Sequence, residues 1–287
     1  MSARPPDRTA QALLGAGVVT LGTRRLLDGL VTDGARWSRV NHRGEPVSLL
    51  EGPAAAAGLL AGAVTAGGRA GLAGAVAVTG AATFGLIDDL TEEPTASRKG
   101  LRGHLGALAK GELTTGGLKV LGIGATSVVA AALALGGSRA HDHSLGRRVA
   151  DVLTGGALIA ASANLVNLLD LRPGRALKGA GIAALPLVAV PAARPLAAAC
   201  VGSVAGALGP DLAERDMLGD SGANAMGALV GTAVVVAAPR PVRLAVLAGV
   251  VGLTLASERI SFTAVIERTP ALRAIDRWGR RPPGGAQ

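Results

Sequence analysis

Nine stretches of this chain lack charge and consist largely of Ala, Leu, Val and Gly: about 9–23, 53–68, 70–87, 120–138, 152–169, 179–193, 195–210, 221–239 and 244–257. Runs of this kind leave few folds open. In hydrocarbon each backbone N–H and C=O must be satisfied internally, as an α-helix does, and about 20 apolar residues span a bilayer. Several runs are shorter than that, so flanking polar residues must complete them. A soluble core of this size draws on aromatics for much of its buried area, yet Tyr is absent and Phe and Trp occur twice each. Small residues are instead how membrane helices approach closely. With a mean hydropathy of +0.43, the sequence predicts an all-α, polytopic integral membrane protein with about nine transmembrane helices.

Three connections are short and centre on Gly or Pro: Gly67–Arg69, Pro191–Pro195 and Pro239–Pro241. They read as hairpin turns on one side of the membrane. The segments 24–52, 88–119, 170–178, 211–220 and 258–287 then fall on the other side, with 20 of the 29 Lys and Arg. By the positive-inside rule that side is cytoplasmic. It also holds 17 of the 20 acids, which that rule does not require, so the cytoplasmic face is expected to carry the chemistry of a multi-pass plasma-membrane protein. The formal charge of +9 lies in these short segments without interleaved aromatics, which argues against nucleic acid as a partner. The single cysteine, Cys200, lies in an apolar run and reads as a buried thiol. Arg24 and Arg25 follow the first run where a signal peptide would have small residues, so that helix reads as retained.

The organisation expected is a transmembrane domain over 1–258 and a cytoplasmic tail over 259–287. In the tail, Thr269 and Pro270 suit the start of a helix. Leu272, Ile275 and Trp278 recur every third residue, which suits a helix lying along the membrane surface.

Acidic and amide clusters end several runs on the predicted inner side. Phe84-Gly-Leu-Ile-Asp-Asp-Leu90 ends the third in two adjacent carboxylates, Asp88 and Asp89. An ionised carboxylate at such a depth needs a polar cavity or a cation, and two side by side also repel each other. Asn164, Asn167 and Asp170 end the fifth run at i, i+3 and i+6, read as one broad helix face. Asp211, Glu214, Asp216 and Asp220 precede or open the eighth, Asp220 between Gly219 and Ser221. Lys119 lies at the start of the fourth. Such a set suits phosphoryl transfer with Mg²⁺, which takes one or two carboxylates plus substrate phosphates. Asn side chains and Gly-rich helix starts can bond diphosphate oxygens, and a lysine can offset developing charge. Asp220 is the carboxylate best situated for the metal and can also N-cap its helix. Glu92, Glu93 and Asp211 read as solvated loop charges. His141-Asp-His143 reads as a solvated outer loop, and His104 as a hydrogen bonder or a catalytic group.

Phe84-Gly-Leu-Ile-Asp-Asp, Asn-x-x-Asn-Leu-x-Asp and Gly-Asp-x-Gly, in this order and each at the inner end of a run, resemble the polyprenyl-phosphate N-acetylhexosamine-1-phosphate transferases. That superfamily includes the phospho-N-acetylmuramoyl-pentapeptide transferases of cell-envelope biogenesis. The likeness covers about 39–258, and Asn41-His-Arg-Gly-Glu45 is similar too. It implies an enzyme that moves a sugar-1-phosphate from a UDP-sugar to a polyprenyl phosphate with Mg²⁺, releasing UMP. Position by position, it implies that Asp220 binds Mg²⁺ and that Asp88 or Asp89 prepares the acceptor phosphate. Asn167 and Asp170 would hold the nucleotide and diphosphate, with Lys119 on phosphate and Asn164 on substrate.

The chain departs from that pattern in three ways. Asp170-Leu-Arg-Pro-Gly174 has Pro173 where a second carboxylate is expected, no histidine follows His143, and nine runs stand where many members have ten spans. Arg172 and Arg175 are candidates for replacing lost phosphate contacts. The alternative expectation is a diverged relative that serves as a membrane scaffold; a transporter fits less well, since its acids would lie in mid-span. Oligomeric state is open, a homodimer included.

Overall fold

The computed structural model describes residues 8–32, 34–91, 115–136 and 144–282. Glu92, Glu93, His104 and His141–His143, all singled out above, lie outside the described residues. Of the described residues 79% are helical. The elements are α1 (Thr9–Leu30), β1 (Ser38–Val40), β2 (Pro46–Ser48), α2 (Glu51–Ala66), α3 (Gly68–Thr91), α4 (Thr115–Leu135), α5 (Leu145–Leu169), α6 (Arg175–Val188), α7 (Arg194–Leu212), α8 (Gly219–Ala237), α9 (Arg240–Ser257), α10 (Phe262–Arg268) and α11 (Pro270–Arg277).

Each charge-free run coincides with one helix from α1 to α9. Six of these, α3, α4, α5, α7, α8 and α9, are long and apolar enough to cross a membrane, consistent with a polytopic membrane protein. At 16 and 14 residues, α2 and α6 reach only about 24 and 21 Å, against a hydrocarbon core of about 30 Å.

The three turns fall where glycine and proline dictate. Gly67 and Gly68 both take left-handed φ, +66° and +60°, a conformation without steric penalty only for glycine. Pro195 and Pro241 stand in the first turns of α7 and α9, where a missing N–H costs nothing. At the break before α7, Arg194 donates from Nε to the Val188 carbonyl at 2.9 Å, satisfying one of the free carbonyls at the end of α6.

Helix contacts form a ring, α1–α2–α3–α4–α5–α6–α7 and back to α1, around α8. The strongly apolar stretch of α8 is 78% buried, whereas α9, packed outside α5, is 11% buried. Small residues let α8 sit there. A Cβ on Gly227 would lie 2.3 Å from the Ser162 carbonyl of α5, and one on Gly222 would lie 2.8 Å from Gly52 Cα of α2. Between these contacts Leu59, Leu158, Ile159, Leu177, Leu196, Met226 and Leu229 are fully buried.

Two features depart from the sequence reading. The first is a small sheet in a chain expected to be all-α: β1 and β2 pair antiparallel, Ser38 opposite Ser48. The turn is fixed by Asn41, whose Oδ1 accepts from the N–H groups of Arg43 (2.8 Å) and Glu45 (2.9 Å). The second is the tail. Leu272, Ile275 and Trp278 are exposed, as a membrane-surface helix requires, but Asp276 is buried. Its carboxylate pairs with Arg175 at 2.8 Å. Lys178 donates to the carbonyls of Ile275, Asp276 and Trp278 at 3.1, 2.9 and 2.6 Å, which caps the C-terminal end of α11. Arg175, offered above as a phosphate contact, is thereby engaged by the tail.

Candidate functional site

The ends of α3, α5 and α7 and the starts of α2, α4 and α8 meet at one end of the bundle. Gly219 turns the chain into α8 at φ +58°, and a Cβ there would meet Leu49 at 2.9 Å and the Asp89 carboxylate at 3.0 Å. Asp89, almost fully buried, accepts from the N–H groups of Asp220 (3.0 Å) and Ser221 (2.9 Å). Asp170 faces the N–H of Gly219. Carboxylates from α3 and α5 thus cap α8 from two sides and complement its positive dipole end. Burial, with Asp211 and Asp220 facing it, pushes the Asp170 carboxyl well above the usual carboxylate range.

The neighbouring acid points elsewhere. Lys119 of α4 is hydrogen-bonded to Asp88 (2.5 Å) and to Asp220. The side chains of Asp88, Lys119 and Asp220 are 12%, 19% and 23% exposed, so solvent reaches them. Asn224, one turn further along α8, donates from Nδ2 to the Asp220 carbonyl at 2.7 Å. Arg39, from β1, donates to the Asp89 carbonyl. The structure therefore brings Asp88, Lys119 and Asp220 together and gives Asp89 a different task, that of holding the start of α8.

Two carboxylates converging on one ammonium can also converge on a divalent cation. The donor set fits Mg²⁺, which completes its shell with water and substrate phosphates. Among the described residues no three His, Cys, Asp or Glu side chains are grouped to hold a metal unaided, so the fit is to a metal shared with substrate.

Beside Lys119 opens a cavity of about 240 Å³ between α4, α5, α8 and α9, lined by Ile123, Asn164, Asn224, Val251 and Leu255 among others. Asn164 faces this apolar space. Asp170 instead lines a different cavity of about 260 Å³ with Asn41, His42, Arg172, Asp211 and Asp216. The three residues expected on one face of α5 therefore diverge: six positions at about 100° each fall about 120° short of two full turns. Asn167 lies between them, half-buried, and its side chain has no hydrogen-bond partner among the described residues.

The second cavity is built from acids that the sequence reading undervalued. Asp211, read as a solvated loop charge, is 2% exposed in the last turn of α7. It accepts from the Gly174 N–H at 2.7 Å and so fixes the turn containing Pro173. Asp216 takes a two-pronged bond from Arg24 at 2.9 and 2.6 Å. Glu214 accepts from Asn41 (2.9 Å) and pairs with Arg43 (3.0 Å). Glu51, at the start of α2, is 1% exposed, and neither carboxylate oxygen has an N–H donor among the described residues. The sequence does carry hints of this layer: four acids within 211–220, and an Arg pair closing the first apolar run.

Compared with known proteins, the chain matches no protein-family model, and no curated sequence matches it significantly.

Proposed function

We propose that the protein transfers a sugar-1-phosphate from a UDP-sugar to a polyprenyl phosphate, releasing UMP, with Mg²⁺ as cofactor. The observation that carries this reading is the Asp88–Lys119–Asp220 cluster at the edge of the apolar cavity lined by Ile123, Val251 and Leu255. A lipid phosphate suits that pairing, its tail along the apolar wall and its phosphate against Lys119. In the reaction an acceptor phosphate oxygen attacks the phosphorus that bears the sugar. The bond from that phosphorus to the oxygen bridging it to the nucleotide phosphate breaks, and UMP leaves with the electron pair. Asp88 accepts the proton of the acceptor phosphate, and Lys119 offsets charge developing on the phosphoryl oxygens. Mg²⁺, held by Asp220 with Asp88 in reach, would supply further neutralisation of phosphate charge. Asp89 and Asp170 keep the start of α8, and so Asp220, in position. The reading includes nine membrane crossings with this end at the cytoplasmic face of the plasma membrane, which the Lys and Arg bias supports.

Purified protein given polyprenyl phosphate, Mg²⁺ and UDP-GlcNAc, UDP-GalNAc or the muramoyl-peptide nucleotide is expected to release UMP. Asp220→Asn is expected to lower the rate by at least about 100-fold. No UMP from any of the three donors would sink the reading. A second reading, a diverged scaffold, is favoured by Lys119 already engaging both carboxylates. In that case Asp88→Asn and Asp220→Asn would leave cellular function intact.

A further inference from the structure

The first loop and the C-terminal tail enclose a third cavity, about 470 Å³ in volume, which shares His42, Arg172 and Glu214 with the acidic one. Five arginines line it, Arg43, Arg172, Arg277, Arg280 and Arg281, against two acids, Glu214 and Glu267. Three of the arginines have carboxylates of their own: Arg43 pairs with Glu214 at 3.0 Å, Arg277 with Glu267 at 2.7 Å and Arg281 with Glu45 at 2.7 Å.

The other two are short of negative charge. Arg280 pairs with Asp276 at 2.6 Å, but the same carboxylate oxygen also accepts from Arg175 at 2.8 Å. Arg172 has no carboxylate and no side-chain hydrogen-bond acceptor among the described residues. The fold holds it there, because its turn is pinned on one side by Asp211 on the Gly174 N–H and on the other by Arg280 on the Pro173 carbonyl at 2.8 Å. The crowding is felt by its neighbours. Partial burial and then Arg172 lower the His42 imidazole, and burial, Arg175 and Arg172 outweigh the pull of Asp276 to lower Arg280. Like charges held together repel. Arg280 shares its one carboxylate with Arg175, and Arg172 forms no ion pair among the described residues although Asp170, Asp211 and Asp216 line the cavity on its other side. The guanidinium fork matches a phosphate in geometry as well as charge.

We propose that this cavity is a phosphate-binding site, in which Arg172 and Arg280 hold a water-soluble phosphoester or diphosphate. The site goes beyond the transferase reading, since it stands whether or not a phosphoryl group is moved. A soluble ligand suits it better than a lipid, because the apolar cavity fit for a lipid tail is lined by an entirely different set of residues. The competing source of the same chemistry is a lipid headgroup, brought close by the exposed Leu272, Ile275 and Trp278 of the tail.

The test is calorimetric titration of inorganic pyrophosphate into the full chain in zwitterionic nanodiscs, without metal, donor or acceptor. Arg172→Ala is expected to weaken binding by at least about tenfold, and Arg172→Lys to retain most of it, with both variants melting as the wild type does. Wild-type binding unchanged in Arg172→Ala, or no wild-type binding, would overturn the proposal. Repeating the titration in nanodiscs containing phosphatidylglycerol separates the two sources: retained binding supports the soluble ligand, and abolished binding assigns the site to a headgroup and overturns it. Because transfer is not measured, failure here and failure of the transferase reading are independent results.

Discussion

Asp88 and Asp89 are the same residue type one position apart, and their roles separate only in three dimensions. One step along a helix is about 100°, enough to send Asp88 to Lys119 and Asp89 to the start of α8. The sequence made the pair conspicuous but could not assign its members, because the assignment depends on which helix stands on which side of α3. Asp89→Ala would leave two N–H groups at the start of α8 without their acceptor. It is expected to cost about 1–3 kcal/mol, seen as a lower melting temperature with no substrate present. An unchanged melting temperature would return Asp89 to the list of catalytic candidates.

Elements were legible where composition punctuates the chain. Charge-free runs gave the helices α1 to α9, and Gly67, Gly68, Pro195 and Pro241 gave their breaks. The β1–β2 hairpin was not legible, since three-residue strands carry too little alternation to register. The tail was read from periodicity, which located its apolar stripe and said nothing of Asp276, whose partner Arg175 is 101 residues away. That pair predicts how the tail is released. Arg175 and Asp276 are 5% and 4% exposed, and stripping one partner from a buried pair costs about 3–5 kcal/mol. Arg175→Ala is therefore expected to make residues 262–282 cleavable by protease while the helical bundle stays intact. Acid should do the same. Arg175 and Arg280 overcome the effect of burial and hold the Asp276 carboxyl below its ordinary value. A depressed carboxyl contributes stability above its unfolded pKa of about 3.9 and loses it as pH falls through the folded value. Cleavage that does not increase below that range would contradict the latch.

At the scale of the whole molecule, the ring and its axial helix depend on residues too small to keep helices apart. Gly85 is the case nearest the site, because a Cβ there would lie 2.4 Å from the Asp220 carbonyl and 2.8 Å from Ser221 Cα. Backbone cannot swing aside as a side chain does. Gly85→Leu is expected to destabilise the bundle by about 1–3 kcal/mol or more and to draw Asp220 away from Lys119, so melting temperature and any Asp220-dependent activity should fall together. Loss of one without the other would show that the α3–α8 contact does not set the site. That α8 rather than another helix occupies the axis was hidden in the sequence, because Gly and Ala are spread through all nine runs and mark close packing everywhere.

The axial position of α8 has a consequence for how the chain is made. Synthesis proceeds from the N-terminus, so the helix that touches six of its seven ring neighbours is delivered only after all of them. The native interior cannot grow outward from a finished centre; α1 to α7 must wait, incompletely packed, for the segment that joins them, and a ribosome that stops before Gly219 leaves a shell without an axis.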